Sequence, residues 1–216
     1  MKVNKKIILD AAISLISQSG YYAISIQDIA KKAGISVGSI YSYYKSKQEI
    51  LSAIYENISN QQFMVTNQIL KFDNYDPIHK LYATTAGMIW SYSKKPELTI
   101  ILYVKTLGID PEIENTYFSI YNRAANNISE MIEAFQKLKL CNITNSKYAA
   151  CAFLKVLEGM TVQWIRDGQK LPVENLAIQV IEYNCNALQI KYDFDEMNSF
   201  VKDIFEKQLF ERMEEK

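Results

Sequence analysis

Between Ser25 and Lys47 the chain gathers side chains suited to one kind of chemistry, the binding of oxygen-rich anions. Ser25, Tyr43, Lys45 and Lys47 offer hydroxyl and ammonium donors, which suit phosphate oxygens. Ser36, Val37, Gly38, Ser39, Tyr41 and Ser42 form a short run of small, hydroxylated and aromatic residues. Ser39 and Ser42 can donate or accept, Val37 can make only apolar contact, and Gly38 leaves the backbone open to close approach. Lys31 and Lys32 read equally well as phosphate contacts or as a solvated face. Charge is distributed to match. Residues 1–51 hold seven lysines against Asp10, Asp28 and Glu49, a net +4, so the rest of this neutral chain carries −4. A basic head on an acidic body is expected where one end meets a polyanion.

Other chemistries lack their residues. The chain has a single histidine, His79, beside Pro77-Ile78 and without Cys or His neighbours, so it reads as a surface or cap residue rather than a metal ligand. No phosphate-binding loop, nucleophile elbow, zinc-binding helix or dinucleotide fingerprint occurs. No catalytic residue, metal or cofactor is therefore expected; a helical enzyme stays a remote alternative. Cys141, Cys151 and Cys185 are odd in number and lie in helix-like sequence, as reduced core cysteines of a cytoplasmic protein would. No apolar run approaches the ~20 residues that span a bilayer, so no membrane partner is expected.

The elements that must position these residues are helical. Four prolines and seven glycines in 216 residues, with apolar residues at helical spacing almost throughout, predict an all-α chain. The first helix is expected from Asn4 to Ser19, with Ile8, Ala11, Ala12, Leu15 and Ile16 inward and Gly20 as its stop. The second opens at Ser25 with Asp28 at N3 as an acidic capping box and Ile24–Ile29 as a hydrophobic staple, and ends at Gly34. The third begins at Ser36 with a second staple, Ile35–Ile40. Ile26, Ile29, Ala30 and Ala33 should face inward. The fourth starts at Ser46 with Glu49 completing a capping box, and runs to about Ile69. Further helices are expected at Pro77–Ser93, Pro96–Leu107, Pro111–Leu140, Asn145–Asp167 and Pro172–Lys191, and a last amphipathic one at Asp195–Met213.

Two short helices joined by Gly34-Ile35-Ser36 have helix-turn-helix spacing. The gapless run Gly20-Tyr21-Tyr22 … Ser25-Ile26-Gln27-Asp28-Ile29-Ala30-Lys31-Lys32-Ala33-Gly34-Ile35-Ser36-Val37-Gly38-Ser39-Ile40-Tyr41-Ser42-Tyr43-Tyr44-Lys45-Ser46-Lys47-Gln48-Glu49-Ile50-Leu51 resembles the DNA-binding domain of the TetR family of bacterial repressors. The resemblance covers about residues 5–51. It implies an N-terminal three-helix DNA-binding domain (1–51) followed by a helical effector-binding and dimerisation domain (52–216). It also implies that the third helix enters the major groove of double-stranded operator DNA, with Ser36, Val37, Gly38, Ser39, Tyr41 and Ser42 near base edges and phosphates, and Ser25, Tyr43, Lys45 and Lys47 on phosphates. Where the family often has a lysine or a polar residue this chain has Val37, and where the family usually has a core phenylalanine it has Tyr44.

The remaining two-thirds resembles the family only in helical layout, with a weaker likeness to its acyl-CoA-responsive members. Ala149–Ile165 is apolar on two sides, as a helix buried against its own domain and against a partner would be. Ala149, Ala152, Phe153, Val156 and Gly159, with Val180, Asn184 and Ala187 from the next helix, are the expected homodimer interface. Tyr82, Trp90, Tyr103, Tyr117, Tyr121 and Trp164 would line a cavity for a lipophilic small-molecule effector. Arg123 either meets an acidic group of that ligand or is simply solvated. A ligand-responsive dimeric repressor is the expected function; the alternative is a DNA-binding regulator with no small-molecule ligand.

Overall fold

The computed structural model describes residues 4–105, 108 and 111–214. In order they form α1 (Lys5–Ser19), α2 (Ile26–Ala33), α3 (Val37–Tyr41), α4 (Lys47–Leu70), α5 (Pro77–Lys94), α6 (Pro96–Ile100), a π-helical turn (Ile101–Lys105), α7 (Pro111–Lys137), α8 (Ser146–Arg166), α9 (Val173–Ala187), α10 (Phe194–Glu206) and α11 (Leu209–Glu214). The described residues contain no strand. The chain divides into two compact units, one of Met1–Asn60 with Lys95–Ile120, the other of Gln61–Lys94 with Tyr121–Lys216.

In the first unit, Asn4 caps α1 by accepting the Ile7 N–H at 3.1 Å. Ile8, Leu9, Ala11, Ala12 and Ile16 are buried; Leu15 is only half-buried, so the buried stripe is turned toward Leu9. Gly20 ends the helix at φ 84°, a conformation that a side chain would penalise. α1 packs on α2, α6 and the π-helical turn. The helix expected over Pro96–Leu107 is therefore two pieces, α at first and then π. Thr106 and Leu107 lie outside the described residues.

In the second unit α5 packs against α8, α9 and α10, and α10 carries α11. The single amphipathic helix expected over Asp195–Met213 is broken. Gln208 adopts φ 51° between α10 and α11, which turns Phe210 into the core. Gly87 on α5 makes room for this packing: a Cβ there would lie 3.0 Å from Val65 and 3.1 Å from Phe210. His79 sits at the start of α5, its Nδ1 2.9 Å from Asp76 and its Nε2 3.5 Å from Glu196 of α10. It is a tie between two helices, and its carboxylate neighbours number two.

Candidate nucleic-acid interface

The site is built from the α2–α3 turn outward. Ser25 closes a reciprocal capping box: its Oγ accepts the Asp28 N–H at 3.2 Å while its own N–H donates to Asp28 Oδ2 at 2.8 Å. The Ser25 hydroxyl, then its N–H, hold the Asp28 carboxyl below the ordinary aspartate range. At the other end Gly34 takes the left-handed conformation at φ 68°. Ile35 N–H bonds to Ala30 O at 3.0 Å and Gly34 N–H to Lys31 O at 3.3 Å, the pair of bonds that defines a Schellman stop. A residue tolerant of positive φ lets α3 begin with only three residues between it and α2.

The inner side of the turn is Ile29, Ala30, Ala33, Ile40 and Tyr44, all buried. Ile26 and Ile35, expected with them, are half-buried instead, at the edge of the domain. Tyr44 is core, as its position implies, and burial followed by the nearby Glu49 charge raises its hydroxyl pKa.

The outer side is α3. Ser36 caps it by accepting the Ser39 N–H at 3.1 Å, and the two hydroxyls lie 2.8 Å apart. Gly38 and Ser42 are exposed, Tyr41 shows about half its surface (52%), and Val37, Ser39 and Tyr43 are half-buried. A Cβ on Gly38 would meet only Ser36 Oγ, at 3.9 Å, so packing within the chain does not require glycine there. Ser42 Oγ donates to Ser39 O at 2.9 Å, which leaves mainly its lone pairs for an incoming donor such as a base amino group.

Lys31, Lys32 and Lys45 are exposed, and Lys47 is not. Its ammonium turns inward, 2.8 Å from Tyr21 O and 2.7 Å from Ile24 O, and lies 4.2 Å from the centre of the Tyr21 ring. The expected capping box of α4 is also altered. Ser46 Oγ accepts the Glu49 N–H at 3.1 Å, but the Glu49 carboxylate closes on the Lys45 N–H rather than on that of Ser46.

Residues 8–54 match the family model described as bacterial regulatory proteins, tetR family. An HTH-type transcriptional regulator of Bacillus subtilis, YhgD, is 24% identical over 80% of this chain and 90% of its own length. The fatty acid metabolism regulator protein of the same organism is 39% identical over a shorter stretch, 25% of this chain and 28% of its own. Residues 8–54 are a tetR-family segment. The relatives that share it are transcriptional regulators, not enzymes. Among solved structures, the fatty acid degradation regulator FadR of Bacillus halodurans superposes with a TM-score of 0.76 at 19% identity, covering 88% of this chain and 100% of that one. FadR of Bacillus subtilis, solved in complex with stearoyl-CoA, gives 0.73 at 21% identity over 84% and 97% of the two chains. At such identities the likeness is one of fold: an N-terminal helix-turn-helix domain and a helical C-terminal domain.

In the rest of the chain, several residues expected at a ligand make intramolecular contacts. Trp90 Nε1 donates to Glu211 of α11 at 2.9 Å, Trp164 Nε1 to Leu171 O at 2.8 Å, and Tyr121 Oη to Cys151 O at 2.9 Å. Arg123 is exposed and stacks on the Phe63 ring, 3.4 Å from its centre. Tyr82 is fully buried with its hydroxyl unbonded, next to the His79 and Phe200 rings. In the first unit, Tyr103 is half-buried and Tyr117 is buried edge-on to Phe118. A cleft of about 480 Å³ opens between α8 and α9, lined by Met160, Gln163, Trp164, Asp167, Lys170, Leu171, Leu176 and Gln179. Of the expected ligand set, it takes only Trp164.

Three residues expected at a dimer interface are corrected by burial. Phe153, Val180 and Asn184 are 1%, 0% and 2% exposed in the single chain, so they are core and cannot meet a partner. Phe153 follows the Ala150-Leu154-Leu157 stripe of α8, which packs on its own unit. The opposite side carries Ala152 and Gly159, exposed, with Ala149 and Val156 half-buried; on α9, Ala187 is exposed.

The Asp28 cap yields a pH prediction. Its folded pKa lies below the unfolded value near 4, so its contribution is complete above that pH and is lost as pH falls through the lowered value. Asp28→Asn should flatten the acid limb of α2 stability, read as hydrogen exchange of the Ser25 amide; an unchanged limb would contradict it.

Proposed function

We propose that this regulator is a homodimeric repressor. In this reading, two copies of α3 occupy successive major grooves of an inverted-repeat operator, and a lipophilic effector carrying a long acyl chain releases them. The observation that carries the DNA-binding part is α3 itself. Its start is fixed by the Gly34 stop of α2 and its own Ser36 cap, and it turns Gly38, Tyr41 and Ser42 outward beside Lys45. Ser36, Val37, Gly38, Ser39, Tyr41 and Ser42 then read bases and adjacent phosphates, while Ser25, Tyr43 and Lys45 fix the register on the backbone. The copies meet through the exposed side of α8 and α9, at Ala149, Ala152, Val156, Gly159 and Ala187. The protein works in the cytoplasm, where its operator is; among its described residues no helix is long and apolar enough to cross a membrane.

The effector class follows the relatives: stearoyl-CoA is bound by the Bacillus subtilis FadR of like fold. Release works through α4, a single helix from Lys47 to Leu70. A shift of α4 alters the spacing of the two α3 helices, and an effector that binds only the mis-spaced dimer lowers DNA affinity by its differential affinity, typically ~1–3 kcal/mol.

The test is affinity for a duplex from the promoter of the protein's own gene, measured across salt and against a panel of fatty acyl thioesters, lipophilic cations and aromatic drugs. Binding with steep salt dependence, relieved by the thioesters, is the expected result. Absence of salt-sensitive binding would overturn the DNA reading. Binding indifferent to the whole panel would favour a regulator without a small-molecule ligand. Lys45→Ala should flatten the log–log salt slope by about 0.9 for each phosphate it no longer neutralises, while leaving sequence preference alone.

A further inference from the structure

We propose that Lys47 is a positioning residue and not a phosphate ligand: its ammonium is an internal strut that fixes the peptide unit opening α2 against the start of α4. The bonds span 26 and 23 residues of sequence, from the first turn of α4 to the Tyr21 and Ile24 carbonyls that bracket the turn between α1 and α2. The Tyr21 ring covers a further side of the cation. Two of the three ammonium protons are thereby committed. Reaching a phosphate would strip the cation from both carbonyls and leave them part-buried and unpaired. Partial burial also pulls the Lys47 pKa below the ordinary lysine range, and an ion withdrawn from water needs acceptors of this kind.

The Ile24–Ser25 peptide shows what is held. A trans peptide directs its C=O and its N–H to opposite sides. Here the C=O of Ile24 accepts from Lys47, and the N–H of Ser25 donates to Asp28 at 2.8 Å. One rigid plane is thus pinned from both sides, by α4 through Lys47 and by α2 through Asp28. It carries the Ser25 hydroxyl and the N-terminus of α2, so their aim is set by α4. The consequence for DNA rests on the function proposed above; the strut itself does not. Lys45, two residues earlier and exposed, is by contrast free to meet a backbone phosphate.

Lys47→Met and Lys45→Met separate the two roles. At a temperature where circular dichroism shows Lys47→Met fully folded, its affinity for the promoter duplex should fall about tenfold at every salt concentration with an unchanged salt slope. Its Ser25 amide should exchange faster. Lys45→Met should instead flatten the slope by about 0.9 and leave Ser25 exchange unchanged. A flattened slope in Lys47→Met with normal Ser25 exchange would make Lys47 a phosphate ligand and overturn the proposal. Faster exchange with wild-type affinity would overturn the positioning role. If Lys47→Met does not fold, the wild-type protein decides: a slowly exchanging Lys47 ammonium resonance without DNA, unshifted when DNA is added, supports the strut. A resonance that appears only with DNA refutes it. Failure of the wild-type chain to bind any duplex would sink the DNA reading and leave the exchange and ammonium results standing.

Discussion

Gly159→Arg is expected to yield a folded monomer whose affinity for the promoter duplex drops by about 10²–10⁴-fold. Gly159 lies on the exposed side of α8, and a Cβ built there meets nothing within 4 Å in the single chain. The arginine therefore costs the protomer little. Against a second copy it would place a bulky cation among Ala149, Ala152 and Val156, where uncompensated charge is expensive to bury. Each helix-turn-helix keeps its own bonds to DNA, but the second half-site is no longer bound from a tethered position. That fall in effective concentration sets the size of the drop. Sedimentation should show wild-type dimers and variant monomers at micromolar concentration, with matching circular dichroism. A variant that stays dimeric with wild-type affinity would move the interface off α8.

The helix-turn-helix was legible in the sequence because its signals are local. Ser25 with Asp28, Gly34, and Ser36 with Ser39 all act within three or four residues, so spacing alone identifies them. The role of Lys47 was hidden for the opposite reason: its acceptors are backbone carbonyls more than twenty residues away, and any residue supplies a carbonyl. On α8 the two apolar stripes were visible, but which one faces the chain's own core was not. Phe153 consequently fell into the wrong set. Helix ends were misplaced where a non-glycine stops them: Lys139, Gln189 and Gln208 all take positive φ, and none carries the glycine signature. The bonding partners of the expected ligand residues were not legible either. Trp90, Tyr121 and Trp164 carry polar atoms that must be paired when buried, and intramolecular partners met that need first.

Phe210→Ala should destabilise the protein by about 3–5 kcal/mol, the range for removing a fully buried aromatic. The amphipathic pattern over Asp195–Met213 predicts one inward face, but a separate helix of only six residues would ordinarily fray. Phe210 is nevertheless 0% exposed. Its ring lies 5.6 Å from Trp90 and 5.4 Å from Phe205, the latter edge-on at 74°. Gly87 has no side chain where that ring sits: a Cβ there would lie 3.1 Å from it. The neighbouring Glu211 reinforces the seat. Burial alone would push its pKa up, yet hydrogen bonds from Trp90, from its own backbone and then from Lys94 hold it below the ordinary glutamate range. Trp90 thus binds α11 twice, through its ring and through its N–H. For a chain of this size the destabilisation corresponds to roughly 6–20 °C in Tm. If α11 were instead a loosely attached tail, Phe210→Ala would behave as a surface substitution and change stability by no more than about 0.5 kcal/mol. The gap between those outcomes is wide enough for one thermal melt to decide whether the C-terminal helices belong to the core of the second unit.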